Sequence, residues 1–274
     1  MRLTVEHVTR YAYSQPQRRL IQLLRATPTS FAAQHVVAWR VGVDRDARIR
    51  TGRDGFGNIT TMLYVDGPVD AITLTAGGEV LTDDRAGVVE DAPEPLPPAL
   101  FLRASPLTRP DEAMRVFARR AAADARDPLE RMHLIMARLL ETIRYVPTLD
   151  AVERDAASAF HASSGVCQDH AHIFCAIARE TGIPARYVSG HLFRRDGLEL
   201  QEASHAWAEA CIPDLGWVGF DPANGISPDD AYIRVACGLD YRDAAPGAGR
   251  RVGGGEERLK VDVRVAQARS QAQS

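Results

Sequence analysis

The apolar period first changes along this chain at a proline-rich stretch. In RLTVEHVTRYAY, the apolar residues Leu3, Val5, Tyr11 and Tyr13 share one face, and in HVVAWRVGV so do Val37, Trp39, Val41 and Val43. GFGNITTMLYVDG and DAITLTAGGEV add further alternating runs bounded by Gly, Asn and Asp turn signals. A period of two belongs to strands with one buried face, and strands at this spacing predict a β-sandwich-like module over residues 1–90. EDAPEPLPPALFLRASPLT then holds five prolines, which predicts a semi-rigid linker over residues 91–109. Beyond it the period becomes helical. Met114, Phe117, Ala118 and Ala121 share a face, and the next segment opens with Asp127 as N-cap, Pro128 at the first helical position and Glu130 at the capping-box position. Strand signals return in RYVSGHLF, SHAWAEACI and GWVGFDP. Residues 110–240 are therefore expected to form an α+β core. Residues 241–274 read as a Gly-rich loop, a returning strand at Leu259 to Val265 and a polar tail.

Composition excludes several classes. At 274 residues, with 45% apolar and 25% charged side chains, the chain is that of a globular protein with a sizeable core. A net charge of -3 offers no basic surface for nucleic acid and no polybasic patch for a membrane. The N-terminal MRLTVEHVTRYAYSQ alternates without an apolar run, unlike a signal peptide. Its four cysteines (Cys167, Cys175, Cys211 and Cys237) then read as reduced thiols of a cytoplasmic protein.

The stretch SSGVCQDHAHIFCAIARETGIPARYVSG carries the chemistry. Cys167, Ala171, Phe174, Cys175 and Ala178 form one helical stripe, ended by Gly182 and Pro184. Cys175 lies mid-helix and reads as a core thiol. Cys167 lies in the first turn, where unpaired N–H groups and the positive end of the dipole favour a thiolate. Position alone leaves both a core thiol and a nucleophile open. A metal site built on Cys167, Asp169, His170 and His172 fails on spacing, because residues two apart on a helix point away from each other. His170 is expected to face solvent, and Gly165 to leave room for a substrate.

A thiol nucleophile needs a base, and the base an orienting carboxylate. His205 and Asp221 flank a hairpin with the turn PDLG. With an odd loop, Trp207 faces Asp221 and His205 lies diagonally beside that pair, within side-chain reach.

Together, SSGVCQDHAHIFCAIARETGIPARYVSGHLF, EASHAWAEACIPDLGWVGFDPANG and YVPTLD resemble the transglutaminase-like superfamily, in its bacterial branch with a β-rich N-terminal region. The resemblance implies a papain-like core and a Cys–His–Asp triad, here Cys167, His205 and Asp221. Oxyanion and pocket positions would be Gln168, Trp207 and Tyr145, with no cofactor and no metal. DPAN stands where the family usually has DPTN, and Leu239 replaces an arginine of a later family stretch. The implied chemistry is acyl transfer on a peptide or protein substrate. Water as acceptor gives a cysteine protease or amidase, an amine gives a transglutaminase, and a binding module on the same fold stays open.

Overall fold

The computed structural model describes residues 1–147 and 154–268; the last three positions of YVPTLD and the end of the polar tail lie outside them. The chain opens with β1 (Arg2–Thr27), β2 (Gln34–Val43), β3 (Arg48–Arg53), β4 (Ile59–Thr82) and a short β5 (Val88–Val89). Helices α1 (Glu112–Ala121) and α2 (Pro128–Thr142) follow, then β6 (Arg144–Tyr145), α3 (Ala156–Ala162) and β7 (Ser164–Gly165). Helix α4 (Cys167–Glu180) leads into β8 (Ala185–Leu192), β9 (Leu200–Gln201), β10 (His205–Ile212), β11 (Gly216–Phe220) and β12 (Tyr232–Gly238). The short α5 (Tyr241–Ala244), β13 (Gly247–Val252) and β14 (Glu257–Gln267) close the described chain.

The N-terminal strands form one bent sheet. The long strands β1 and β4 pair antiparallel, with register slips between Ala12 and Gln17 and again before Arg19. Bulges bend a strand and increase its twist. Leu20, Leu24, Leu63 and Val65 beyond the bend share a core with Tyr13, Ile72, Leu74 and Ala76 before it. A single sheet thus closes over its own apolar face as a sandwich would. The returning strand β14 lies beside the first half of β1, from Leu3 opposite Gln267 to Tyr13 opposite Glu257.

A second antiparallel sheet, in the order β12-β8-β10-β11-β5, carries the core. Ala206, Ala208 and Ala210 of β10 belong to the cluster formed with α4, and their small side chains let the helix approach closely. Phe174 of α4 stacks on Phe220 of β11 at 5.3 Å. Helices α1, α2 and α3 also pack against α4, so that Asp169 through Arg179 are buried on every face. An apolar stripe accounts for only part of this. The polar residues of α4 are buried because each finds partners. His170, expected in solvent, is 1% exposed, its ring spanning the carbonyls of Val166 (2.9 Å) and Ile143 (3.1 Å). His172 Nε2 accepts the Tyr241 amide at 3.0 Å, and Arg179 donates to the carbonyls of Ala185 and Leu239 and to Thr108 Oγ1.

The proline-rich segment does not stand away from the core as a spacer would. Its apolar residues Phe101 and Leu107 are buried, with the Phe101 ring edge-on to Trp217 at 5.1 Å. Glu94 takes two hydrogen bonds from Arg186, which is itself bonded to Glu209. The two sheets meet where Leu3, Val5, Val263 and Val265 pack on Ile233 and Val235 of β12. Two buried amides complete that seam. Gln34 bonds both the N–H and the C=O of Arg234, and Asn58 both those of Cys237, so side chains satisfy the edge that β12 would otherwise leave open. No helix among the described residues is long and apolar enough to cross a membrane.

Candidate active site

Cys167 is the first residue of α4 and is half-buried. The turn before it is held by Asp169, whose Oδ2 accepts the Val166 N–H at 3.0 Å and an Arg154 N–H at 2.5 Å. Arg154 also donates to the Ser164 carbonyl. This carboxylate sits at the helix N-terminus, where the dipole favours it. It also explains Gly165: a Cβ there would lie 2.6 Å from the Asp169 side chain. The space over Gly165 is filled by Asp169 and not, as expected, kept for a substrate.

The hairpin of β10 and β11 closes at Ile212 opposite Gly216, a three-residue loop. Its ladder runs to Ala208 opposite Phe220, and extending that register by one pair sets Trp207 across from Asp221. His205 therefore reaches Asp221 diagonally, and its Nε2 lies 2.6 Å from Oδ2. Asp221 is fully buried. Its Oδ2 also accepts from Asn224 Nδ2 (2.7 Å) and the Tyr232 hydroxyl (2.8 Å), while Oδ1 accepts the amides of Ala223 and Asn224. Nε2 lies on the carboxylate, and Cys167 is near enough for its charge to favour the protonated imidazole.

The electrostatics follow from this geometry. Burial works against a charged His205, but the Asp221 carboxylate and Cys167 outweigh it and push its pKa up to about 10. Burial likewise opposes the charge on Asp221, yet His205, Tyr232 and Asn224 hold it below the usual carboxylate range. Burial and the adjacent Asp221 push the Tyr232 hydroxyl far above the ordinary phenol, so it stays a donor.

The cleft beside His205 has a volume of about 510 Å³ and is lined also by Tyr145, Phe193, Arg194, Asn224 and Ile226. Tyr145 is 49% exposed at this cleft; burial of its hydroxyl and the nearby Cys167 raise its pKa. Gln168, partly exposed, follows Cys167 in the first turn of α4. Trp207 does not line this cleft: it is 2% exposed, its ring stacked against His205 at 6.1 Å and edge-on to Tyr232 at 5.4 Å. It packs the imidazole into place instead. Tyr232 and Asn224 escaped sequence reasoning. DPAN hinted at Asn224, since an Asx turn brings a residue three positions on back to the carboxylate. Nothing local marks Tyr232, which arrives from another strand.

A thiol at a helix start, facing an imidazole and a carboxylate on a neighbouring antiparallel sheet, is the plan of a papain-like core. The chain belongs to the transglutaminase-like superfamily, in its bacterial branch: the model for the transglutaminase-like superfamily matches residues 115–222, and that for the bacterial transglutaminase-like N-terminal region matches residues 3–81. It is 31% identical to protein ML0607 of Mycobacterium leprae over 275 residues, covering 96% of this chain and 98% of that one. A protein-glutamine gamma-glutamyltransferase of Pseudomonas aeruginosa is 29% identical over 140 residues, 45% of this chain and 20% of that protein. Among solved structures, a candidate cysteine protease from Cytophaga hutchinsonii shares the fold with a TM-score of 0.78, at 19% identity, covering 100% of this chain and 92% of its own.

Proposed function

We propose that Cys167, His205 and Asp221 act as a catalytic triad for acyl transfer, and that the enzyme is a cysteine peptidase or amidase using water as acceptor. The observation that carries this reading is the His205 ring, tied through Nε2 to a buried carboxylate and, despite its burial, favoured in its protonated form by that carboxylate and by Cys167 at a helix start. The Cys167 sulfur attacks the amide carbonyl carbon of a peptide or protein substrate, and the electron pair of the C=O bond moves to oxygen. First-turn amides of α4 have no acceptor within the helix; that of Cys167, with Gln168, supports the oxyanion. Protonated His205 gives its proton to the leaving amine as the C–N bond breaks, leaving a thioester on Cys167. His205, now neutral, takes a proton from water as the water oxygen attacks the thioester, and the acid departs as the thiolate returns. Asp221 fixes the tautomer throughout.

An amine acceptor in the second half-reaction is the alternative, favoured by the match to the Pseudomonas protein-glutamine gamma-glutamyltransferase. Both readings require the same thiol. Cys167→Ala is expected to abolish both peptide hydrolysis and incorporation of a labelled primary amine, with an unchanged circular dichroism spectrum. Retained turnover in the variant would refute the triad. In the wild type, product acid exceeding amine adduct at millimolar amine supports hydrolysis, and the reverse supports transamidation. If iodoacetamide alkylates Cys167 no faster than the buried Cys175, the chain is a binding module on this fold.

A further inference from the structure

Apart from the cleft, a cavity of about 150 Å³ lies between the N-terminal sheet and the core. From β1 and β4 it is lined by residues including Tyr11, Leu24, Leu74 and Thr75, and from the core by Ser204 and Tyr241. Ser204 directly precedes His205, so the cavity reaches the chain that holds the imidazole.

Three properties define what would fit. The first is charge. No aspartate, glutamate, lysine or arginine lines the cavity among the described residues. Its histidine, His7, is held neutral by burial, which lowers its pKa to about 4, and burial first, then Glu257, pushes Tyr11 up to about 12. A charged ligand would lose its hydration with no opposite charge to replace it. The second is size. A dry engineered cavity of about 150 Å³ accommodates benzene, so the volume suits one six-membered ring. The third is polarity. The hydroxyls of Tyr11, Thr75 and Ser204 make no hydrogen bond to any described residue, which leaves them free for a ligand's polar group. A recess of about 10 Å³ shares His7 and Ser204 with the cavity and is lined also by His191 and by Arg25, whose guanidinium is already paired with Asp54. His191 is 3% exposed and its Nδ1 has no partner among the described residues, and the recess holds about one water.

We propose that this cavity is a binding site for a small uncharged molecule of one ring carrying a single hydrogen-bonding group, for which phenol is the simplest probe. The site does not depend on the acyl-transfer reading, and its test needs no turnover. Gly247 lines the cavity, and a Cβ there would meet only Leu24 and Tyr11, at ordinary contact distances of 3.6 Å. Gly247→Leu therefore fills the space with the backbone unstrained. Phenol titrated into the whole protein should give saturable NMR shifts at the amides of Thr75 and Ser204. Gly247→Leu should weaken binding at least ~10-fold and Gly247→Ala no more than ~2-fold, since only the longer side chain occupies the ring's volume. Benzoate and benzylammonium should bind at least ~10-fold more weakly than phenol. Thr75→Val, of nearly the same shape, should weaken phenol and leave benzene unchanged. The proposal is overturned by shifts that do not saturate, by binding unaffected in Gly247→Leu, or by benzoate binding as well as phenol.

Discussion

Asp221 carries more hydrogen bonds than any simple sequence pattern announces. Its carboxylate is buried and fully satisfied by His205, Tyr232, Asn224 and two amides, and this makes it a fixed anion that keeps His205 protonated. The sign of the resulting pH dependence follows. His205 titrates at about 10 in the fold against 6.5 for the ordinary side chain. Its protonated form therefore stabilises the native state in full below pH 6.5, and the contribution is lost as pH rises through about 10. The difference in unfolding free energy between wild type and His205→Gln, from urea denaturation, is expected to shrink between pH 6 and pH 10. A difference constant over that range would mean that His205 is not paired as an ion.

At the scale of elements, the hairpin of β10 and β11 and the start of α4 bring the three groups together, and small residues make the approach possible. Gly190 of β8 lies opposite His205 in the ladder. A Cβ on Gly190 would overlap the Ile233 carbonyl oxygen and the Trp207 ring that stacks on the imidazole. Overpacking of this kind costs about 1–3 kcal/mol. Gly190→Ala is expected to lower the Tm by several degrees and to reduce alkylation of Cys167 at neutral pH. An unchanged Tm would show that β8 and β12 separate more easily than their pairing suggests. The helix itself was legible as a stripe from Cys167 to Ala178. Its burial from Asp169 to Arg179 was not, because the covering helices and the partners of His170, His172 and Arg179 come from distant segments.

Across the whole molecule, Gln34 and Asn58 join the N-terminal sheet to the outer edge of β12. Each replaces the backbone partners that an additional strand would supply. Removing either leaves a buried N–H and C=O unmatched, a loss of about 1–3 kcal/mol. Gln34→Ala is expected to speed hydrogen exchange at the Arg234 amide, and Asn58→Ala at the Cys237 amide. Exchange unchanged in both variants would mean that the seam is held by its apolar contacts alone. The same seam places the cavity beside Ser204, so the N-terminal sheet shapes a space next to the strand that carries His205.

The sequence by itself determined what local periodicity and short spacing can encode: strands before the prolines, helices after them, a thiol at a helix start, and a histidine and aspartate set diagonally by an odd hairpin loop. Those features depend on residues a few positions apart, whose geometry the backbone dictates. Only the tertiary structure decided the bend that closes the first sheet, the burial of His170, the docking of Phe101 and Leu107, the pairing of Asp169 with Arg154, and the arrival of Tyr232 at Asp221. Each of these joins segments through packing and hydrogen bonds made after the chain has folded back on itself. Their partners are set by which buried polar groups must be satisfied, a condition with no local signature.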